Sequence, residues 1–143
     1  MNKAPAQTFA RLIGWILTIA GIVGFFYCAS FKSGKHVPSE DVFGILSVNG
    51  WHNVVHLVTG LIGLRAARTW GGARTYSFAL FVLYTALFVL GLAYGTSDAV
   101  LSLVPVNGAD DALHGIIAAA ALLSGLSTPA VPPPTLAAEP AAG

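Results

Sequence analysis

Ser47 to His56 reads SVNGWHNVVH, and Pro105 to His114 reads PVNGADDALH. The two decapeptides lie 58 residues apart and share Val-Asn-Gly and a closing histidine, while Asp110 and Asp111 stand where the first has His52 and Asn53. Their approaches also match: DVFGILSVNG from Asp41 aligns with DAVLSLVPVNG from Asp98 when one residue is inserted. Similarity at a fixed offset means one supersecondary unit used twice. Asn49 and Asn107 are placed to cap the helices that follow, since a side-chain oxygen there accepts an unpaired N–H of the first turn.

Composition names the solvent. The chain has 143 residues, one domain's worth, with 55% hydrophobic and 9% charged residues and a mean hydropathy of +0.74. A water-soluble domain carries about 25% charged residues, so this chain is expected in lipid. The same numbers exclude intrinsic disorder, a coiled coil and a disulfide-stapled module. A net charge of +1 leaves no basic field for nucleic acid. Cys28, the single cysteine, has no internal disulfide partner and reads as a small apolar residue in an apolar run.

Four apolar segments follow from the hydropathy pattern. Leu12 to Ala29 is long enough to cross and lacks a small-residue cleavage site, so it reads as an uncleaved span rather than a signal peptide. Trp51 to Leu64 is shorter and begins with His52, Asn53 and His56. Tyr76 to Tyr94 contains no charge, with a tyrosine at either end at interface depth. Ala109 to Leu126 opens on two aspartates and is ended by Pro129 and the run Pro132 to Pro134. Val42 to Val48 and Ala99 to Val106 are too short to cross and read as interfacial turns or re-entrant pieces.

Lys3 and Arg11 before the first segment, and Arg65, Arg68 and Arg74 between the second and third, place both termini in the cytoplasm. The expected fold is therefore an all-α integral membrane protein: a four-transmembrane-helix bundle made of two parallel helical-hairpin repeats, about 12–68 and 74–126, within a domain of residues 1–128. Residues 129–143 read as a disordered Pro/Ala-rich cytoplasmic tail.

Helical spacing puts His52, His56, Gly60 and Gly63 on one face of the second segment, and Asp110, His114, Ala118, Ala121 and Gly125 on one face of the fourth. Small residues permit close packing and ionisable groups avoid lipid, so both faces turn inward. His52, His56, Asp110 and His114 then form a candidate ligand set for a divalent metal, with Asn49, Asn53, Asn107 and Asp111 as the surrounding polar groups. Haem held axially by His56 and His114 is an alternative, as are a proton path and a cluster that only hydrogen-bonds to itself. No serine elbow, phosphate loop or nucleophilic-cysteine pattern is present.

GILSVNGWHNVVHLVTGLIGL from Gly44, the basic link Arg65 to Arg68, and LVPVNGADDALHGIIAAAALL from Leu103 together resemble the bacterial four-span family called domain of unknown function 4383. The resemblance covers most of the chain and carries over Asn49, His52, His56, Asn107, Asp110 and His114 as the family's polar positions. It implies the fold and a bacterial plasma membrane, and no activity. The expected role is a non-catalytic scaffold, assembly or accessory subunit, meeting other membrane subunits through Trp15, Phe78, Phe81 and Phe88. A metal- or haem-binding protein and a small-solute or proton transporter are the alternatives.

Overall fold

The computed structural model describes residues 3–94 and 98–133. Among the described residues there are four helices: α1 (Pro5–Tyr27), α2 (Gly50–Ala66), α3 (Trp70–Tyr94) and α4 (Gly108–Leu126). Proline at the first helical position starts α1, where its missing N–H costs nothing. Three helices, α1, α3 and α4, are long and apolar enough to cross a membrane. The second segment, expected as a fourth span, is not among them. Its 17 residues reach about 25 Å against a hydrocarbon core about 30 Å thick.

The helix faces are inverted relative to a water-soluble fold. On α1, Ala6, Ala10, Gly14, Thr18, Gly21 and Gly24 are buried, while Leu12, Trp15, Ile19, Ile22 and Phe26 are exposed. Small residues inside and large apolar residues outside suit a solvent as apolar as leucine, in which close backbone packing holds helices together. The chain is a membrane protein by this pattern as well as by its three candidate spans.

Glycines set the two closest helix pairs. A methyl group added at Gly60 of α2 would lie 2.5 Å from the backbone nitrogen of Thr18 and 2.8 Å from the carbonyl of Gly14 on α1. Near the other end of the same antiparallel pair, Gly24 lies against the Asn53 carboxamide. In the α3/α4 pair, Gly91 lies against the Asp111 carboxylate, and the rings of Phe88 and Phe78 cover Gly115 and Gly125. This corrects the expected partner surface. Phe78, Phe81 and Phe88 turn at least partly inward, because α4 offers glycines for Phe78 and Phe88 to cover, and of the four aromatics only Trp15, 56% exposed, faces fully outward.

The stretch from Val42 to Val48, expected as an interfacial or re-entrant piece, belongs to a β-hairpin: β1 (Glu40–Val42) pairs antiparallel with β2 (Leu46–Val48). Its turn has Phe43 at φ 54 and Gly44 at φ 72, positive at both central residues, as a type I′ hairpin turn requires. Val100 and Val104 form an isolated antiparallel bridge around Leu101 at φ 52 and Ser102 at φ 59. Val42 opposite Leu46 and Val100 opposite Val104 are the same geometry 58 residues apart (100 − 42 and 104 − 46), so the two approaches align without the inserted residue. Turn geometry fixes this register, and it pairs Asp98 with Glu40 instead of Asp41.

At the opposite end, the starts of α1 and α3 are tied to the ends of α2 and α4. The Ala6 N–H donates to Thr128 Oγ1 at 2.9 Å, Arg74 Nε to the Thr128 carbonyl at 2.9 Å, and Gln7 Nε2 to the Ala67 carbonyl at 3.3 Å. Trp70 Nε1 donates to the Pro129 carbonyl at 2.8 Å, so the chain beyond α4 is still anchored there. The remainder of the expected disordered tail, residues 134–143, lies outside the described residues.

The glycine contacts yield a paired prediction. Gly60→Ala must push apart two helix backbones and should destabilise the fold by about 1–3 kcal/mol. Gly71→Ala, on α3 with nothing within 4 Å of the new methyl, should be neutral or stabilising by up to about 1 kcal/mol through helix propensity. Thermal unfolding of the two variants in one detergent, followed by circular dichroism, checks the order.

Candidate metal centre

The site is built on two helix starts. Asn49 Oδ1 accepts the His52 N–H at 2.9 Å, capping α2 as the sequence leads one to expect. Asn107 Oδ1 accepts the N–H groups of Ala109 and Asp110 at 2.9 and 3.0 Å, capping α4. The amide nitrogens then cross over. Asn49 Nδ2 donates to the Leu103 carbonyl at 2.7 Å, and Asn107 Nδ2 donates to the Ile45 carbonyl at 2.8 Å. Each cap therefore holds the turn preceding the other cap.

With both helix starts fixed, three imidazoles converge. Ligand atoms of His52, His56 and His114 all lie within 4.8 Å of one another. The His52 and His56 rings are 4.5 Å apart by centroid, one helical turn apart on α2, and His114 reaches across from α4 with its ring 6.0 Å from His52. His52 and His114 are buried, at 2% and 3% exposure, and His56 is half-buried. His52 Nδ1 lies 2.9 Å from the Ser47 carbonyl, so a proton on Nδ1 leaves Nε2 with its lone pair free. Nδ1 of His56 and Nδ1 of His114 are buried and have no hydrogen-bond partner among the described residues.

Asp110 stands outside this group. Its Oδ2 accepts the N–H of Ser47 and the N–H of Asn107, both at 3.0 Å. The second hydrogen bond completes a capping box with Asn107, and the first binds the α4 start to β2. A carboxylate one turn into a helix reaches back to the cap more readily than an imidazole does, which separates Asp110 from the histidine at the matching position. Asp111 is buried against Gly91 on the α3 side, with Oδ1 unpaired. Asn53 Nδ2 donates to the Cys28 carbonyl at 2.8 Å, fixing the end of α1, and its Oδ1 lies against Gly24.

Tyr84 is the neighbour that sequence reading missed. It is fully buried on α3, and its ring meets His114 edge-on at 5.4 Å between centroids. Tyr76, two turns earlier, is also buried rather than interfacial, and its hydroxyl donates to the Thr59 carbonyl at 3.1 Å. The spacing Tyr76, Leu80, Tyr84 is i, i+4, i+8, so one inward stripe was readable in the sequence of α3.

A family model described as Domain of unknown function (DUF4383) matches residues 7–127. No curated protein and no solved structure matches the chain. The matched span runs from the first turn of α1 to the C-cap of α4 and takes in both asparagine caps and all three converging histidines. The chain belongs to the DUF4383 family.

Proposed function

We propose that this protein is a non-catalytic, multi-pass membrane protein that binds one divalent transition metal on His52, His56 and His114. The carrying observation is the convergence of three imidazole donors, all within 4.8 Å of one another. Donors bound to zinc at about 2.1 Å stand roughly 3.4 Å apart in a tetrahedral site, so the rings need to close by about an ångström. The Ser47 carbonyl supplies His52 with the outer hydrogen bond that metal-bound histidines commonly make. All-nitrogen ligation suits zinc, copper and iron alike. A scaffold or accessory-subunit role has weaker support, because the aromatics offered for it are mostly packed inside.

Elemental analysis of protein purified in mild detergent should find about one zinc, copper or iron per chain. His56→Ala or His114→Ala should remove it. Ligating imidazoles must be neutral, so loading should hold at pH 7.5 and fall as pH drops through the histidine range near 6.5. If the wild type is saturated about 100-fold above its dissociation constant, stripping the metal should cost about 2.7 kcal/mol of stability. A metal-free wild type whose melting is unmoved by chelator and by added zinc ends this reading; co-purification of a stoichiometric membrane subunit with such a protein would favour the accessory role.

We also infer that α2 acts as a fourth crossing, giving two like-oriented hairpins, α1/α2 and α3/α4. Seventeen residues is the short end of the length that spans a bilayer. The crossed asparagine bonds fit a pseudo-twofold axis, since Asn49 to Leu103 becomes Asn107 to Ile45 when 58 is added to 49 and subtracted from 103. Buried positions on α1 and α3 also correspond at an offset of 67: Ala6 with Ala73, Ala10 with Ser77, Leu17 with Tyr84, Gly24 with Gly91. In this topology the arginine-bearing end, with both termini, faces the cytoplasm. On a Cys28→Ala background, Ser33→Cys should react with an impermeant maleimide on intact cells, and Gly71→Cys only after permeabilisation. The reverse pattern overturns the orientation.

A further inference from the structure

Between α1 and α4, under Leu46 of β2, lies an apolar cavity of about 240 Å³ whose wall includes His56, His114 and Asp110. A second apolar cavity of about 340 Å³ continues past Val42 and Phe43 and shares Ile16, Ala20, Leu46 and His56 with the first. Together they make a trough from the imidazoles to the outer face of α1, where Ile16, Ile19 and Phe43 are 58%, 55% and 77% exposed. Its mouth is therefore on lipid.

A neutral imidazole always carries one N–H, whether or not its other nitrogen holds a metal. His52 has an acceptor for that proton in the Ser47 carbonyl. For the His56 and His114 rings, no hydrogen bond to protein is found among the described residues, and Nδ1 of each is buried and unpaired. Both rings line the trough, His114 being 97% buried (100 − 3). A missing acceptor beside an open apolar path defines the occupant. It must dissolve in lipid, carry a hydrogen-bond-accepting oxygen, and bear no negative charge, because the Asp110 carboxylate is in the wall and no lysine or arginine is. Fatty acids and phosphate headgroups fail the last condition.

We propose that the trough binds a lipophilic quinone, with a ring carbonyl accepting from His56 or His114 and the tail lying along α1 toward lipid. A planar head with carbonyls at its edge brings an acceptor to the end of a narrow apolar slot without burying other polar groups. Binding is all that is claimed, and no electron transfer is invoked. The site stands on the unpaired imidazoles and the trough, so it does not require the metal.

The test uses full-length protein in detergent, titrated with decylubiquinone and followed by quenching of tryptophan emission. Wild type should show saturable quenching. Ala20→Phe fills the trough and leaves every imidazole in place, so it should weaken binding roughly tenfold or more while metal content, measured on the same preparation, is unchanged. His114→Phe removes one N–H donor and should weaken both. Equal quenching of wild type and folded Ala20→Phe means partition into the micelle and overturns the proposal. Displacement from wild-type protein needs no variant to fold: menadione should displace decylubiquinone and oleate should not. Displacement by oleate, or by dioleoylglycerol as effectively as by menadione, would make the trough a general lipid groove and also overturn the assignment. A wild type that binds the quinone but carries no metal, and whose melting is unmoved by added zinc, would sink the metal reading alone.

Discussion

Two asparagine side chains hold the hairpin end of this protein together, and the histidines depend on them. A carboxamide has an acceptor and a donor on one planar group, so Asn49 and Asn107 each cap a helix with oxygen while binding a distant carbonyl with nitrogen. A cap is worth about 1 kcal/mol. The crossed bond adds about 1 kcal/mol where water can reach it, as at Asn107, and more at Asn49, whose side chain is fully buried. The caps also set the rotation of α2 and α4. With Asn49 fixed, His52 follows one turn later beside the Ser47 carbonyl, and His56 another turn on; with Asn107 fixed, His114 is carried to the same level.

The interior follows from the solvent. Lipid gives no reward for burying leucine, so the helices present most of their large apolar residues outward and pack largely on glycine, alanine, serine and threonine, with Leu17, Tyr76, Leu80 and Tyr84 among the large side chains kept inside. An interior of small residues can bring backbones together but cannot fill every gap, and polar side chains take the remaining space. Most of these are satisfied locally: Thr18 on the Gly14 carbonyl, Ser77 on Ala73, Thr59 on Val55. Among the described residues, Nδ1 of His56 and of His114, like Asn53 Oδ1, Asp111 Oδ1 and Ser124 Oγ, is buried without such a neighbour. An unmet buried polar group costs about 1–3 kcal/mol, a cost that a bound ligand or metal would offset.

Much of this was legible in the chain. Asn-Gly before an apolar run gave both caps, and i, i+4 spacing gave the histidine face. The turns were harder, because type I′ geometry is usually announced by Asn-Gly or Gly-Gly, and here Phe43, Leu101 and Ser102 occupy positive φ. A non-glycine residue there costs about 1–2 kcal/mol, which the crossed bonds to Ile45 and Leu103 help offset. The likeness of α1 and α3 escaped sequence comparison because what corresponds is burial rather than identity: Leu17 and Tyr84, or Ala10 and Ser77, share a depth and a face but no chemistry. Whether Phe78 and Phe88 face lipid or protein was unreadable without knowing that Gly125 and Gly115 lie opposite.

The difference between the two matching stretches is as informative as their likeness. The first contributes His52 and His56, whereas the second has aspartate at the position of His52 and so contributes His114 alone. A fully symmetric pair would close four imidazoles around one centre, the arrangement of a structural site with no free position. Asp110 instead spends its carboxylate on the α4 cap and on the Ser47 N–H, which locks the two helix starts together and withdraws a fourth donor from the centre. Three imidazoles are left, with an apolar trough ending at two of them. Aspartate at this one position thus does two things at once: it ties the two helix starts together, and it leaves three imidazoles beside the trough where a histidine would have offered a fourth.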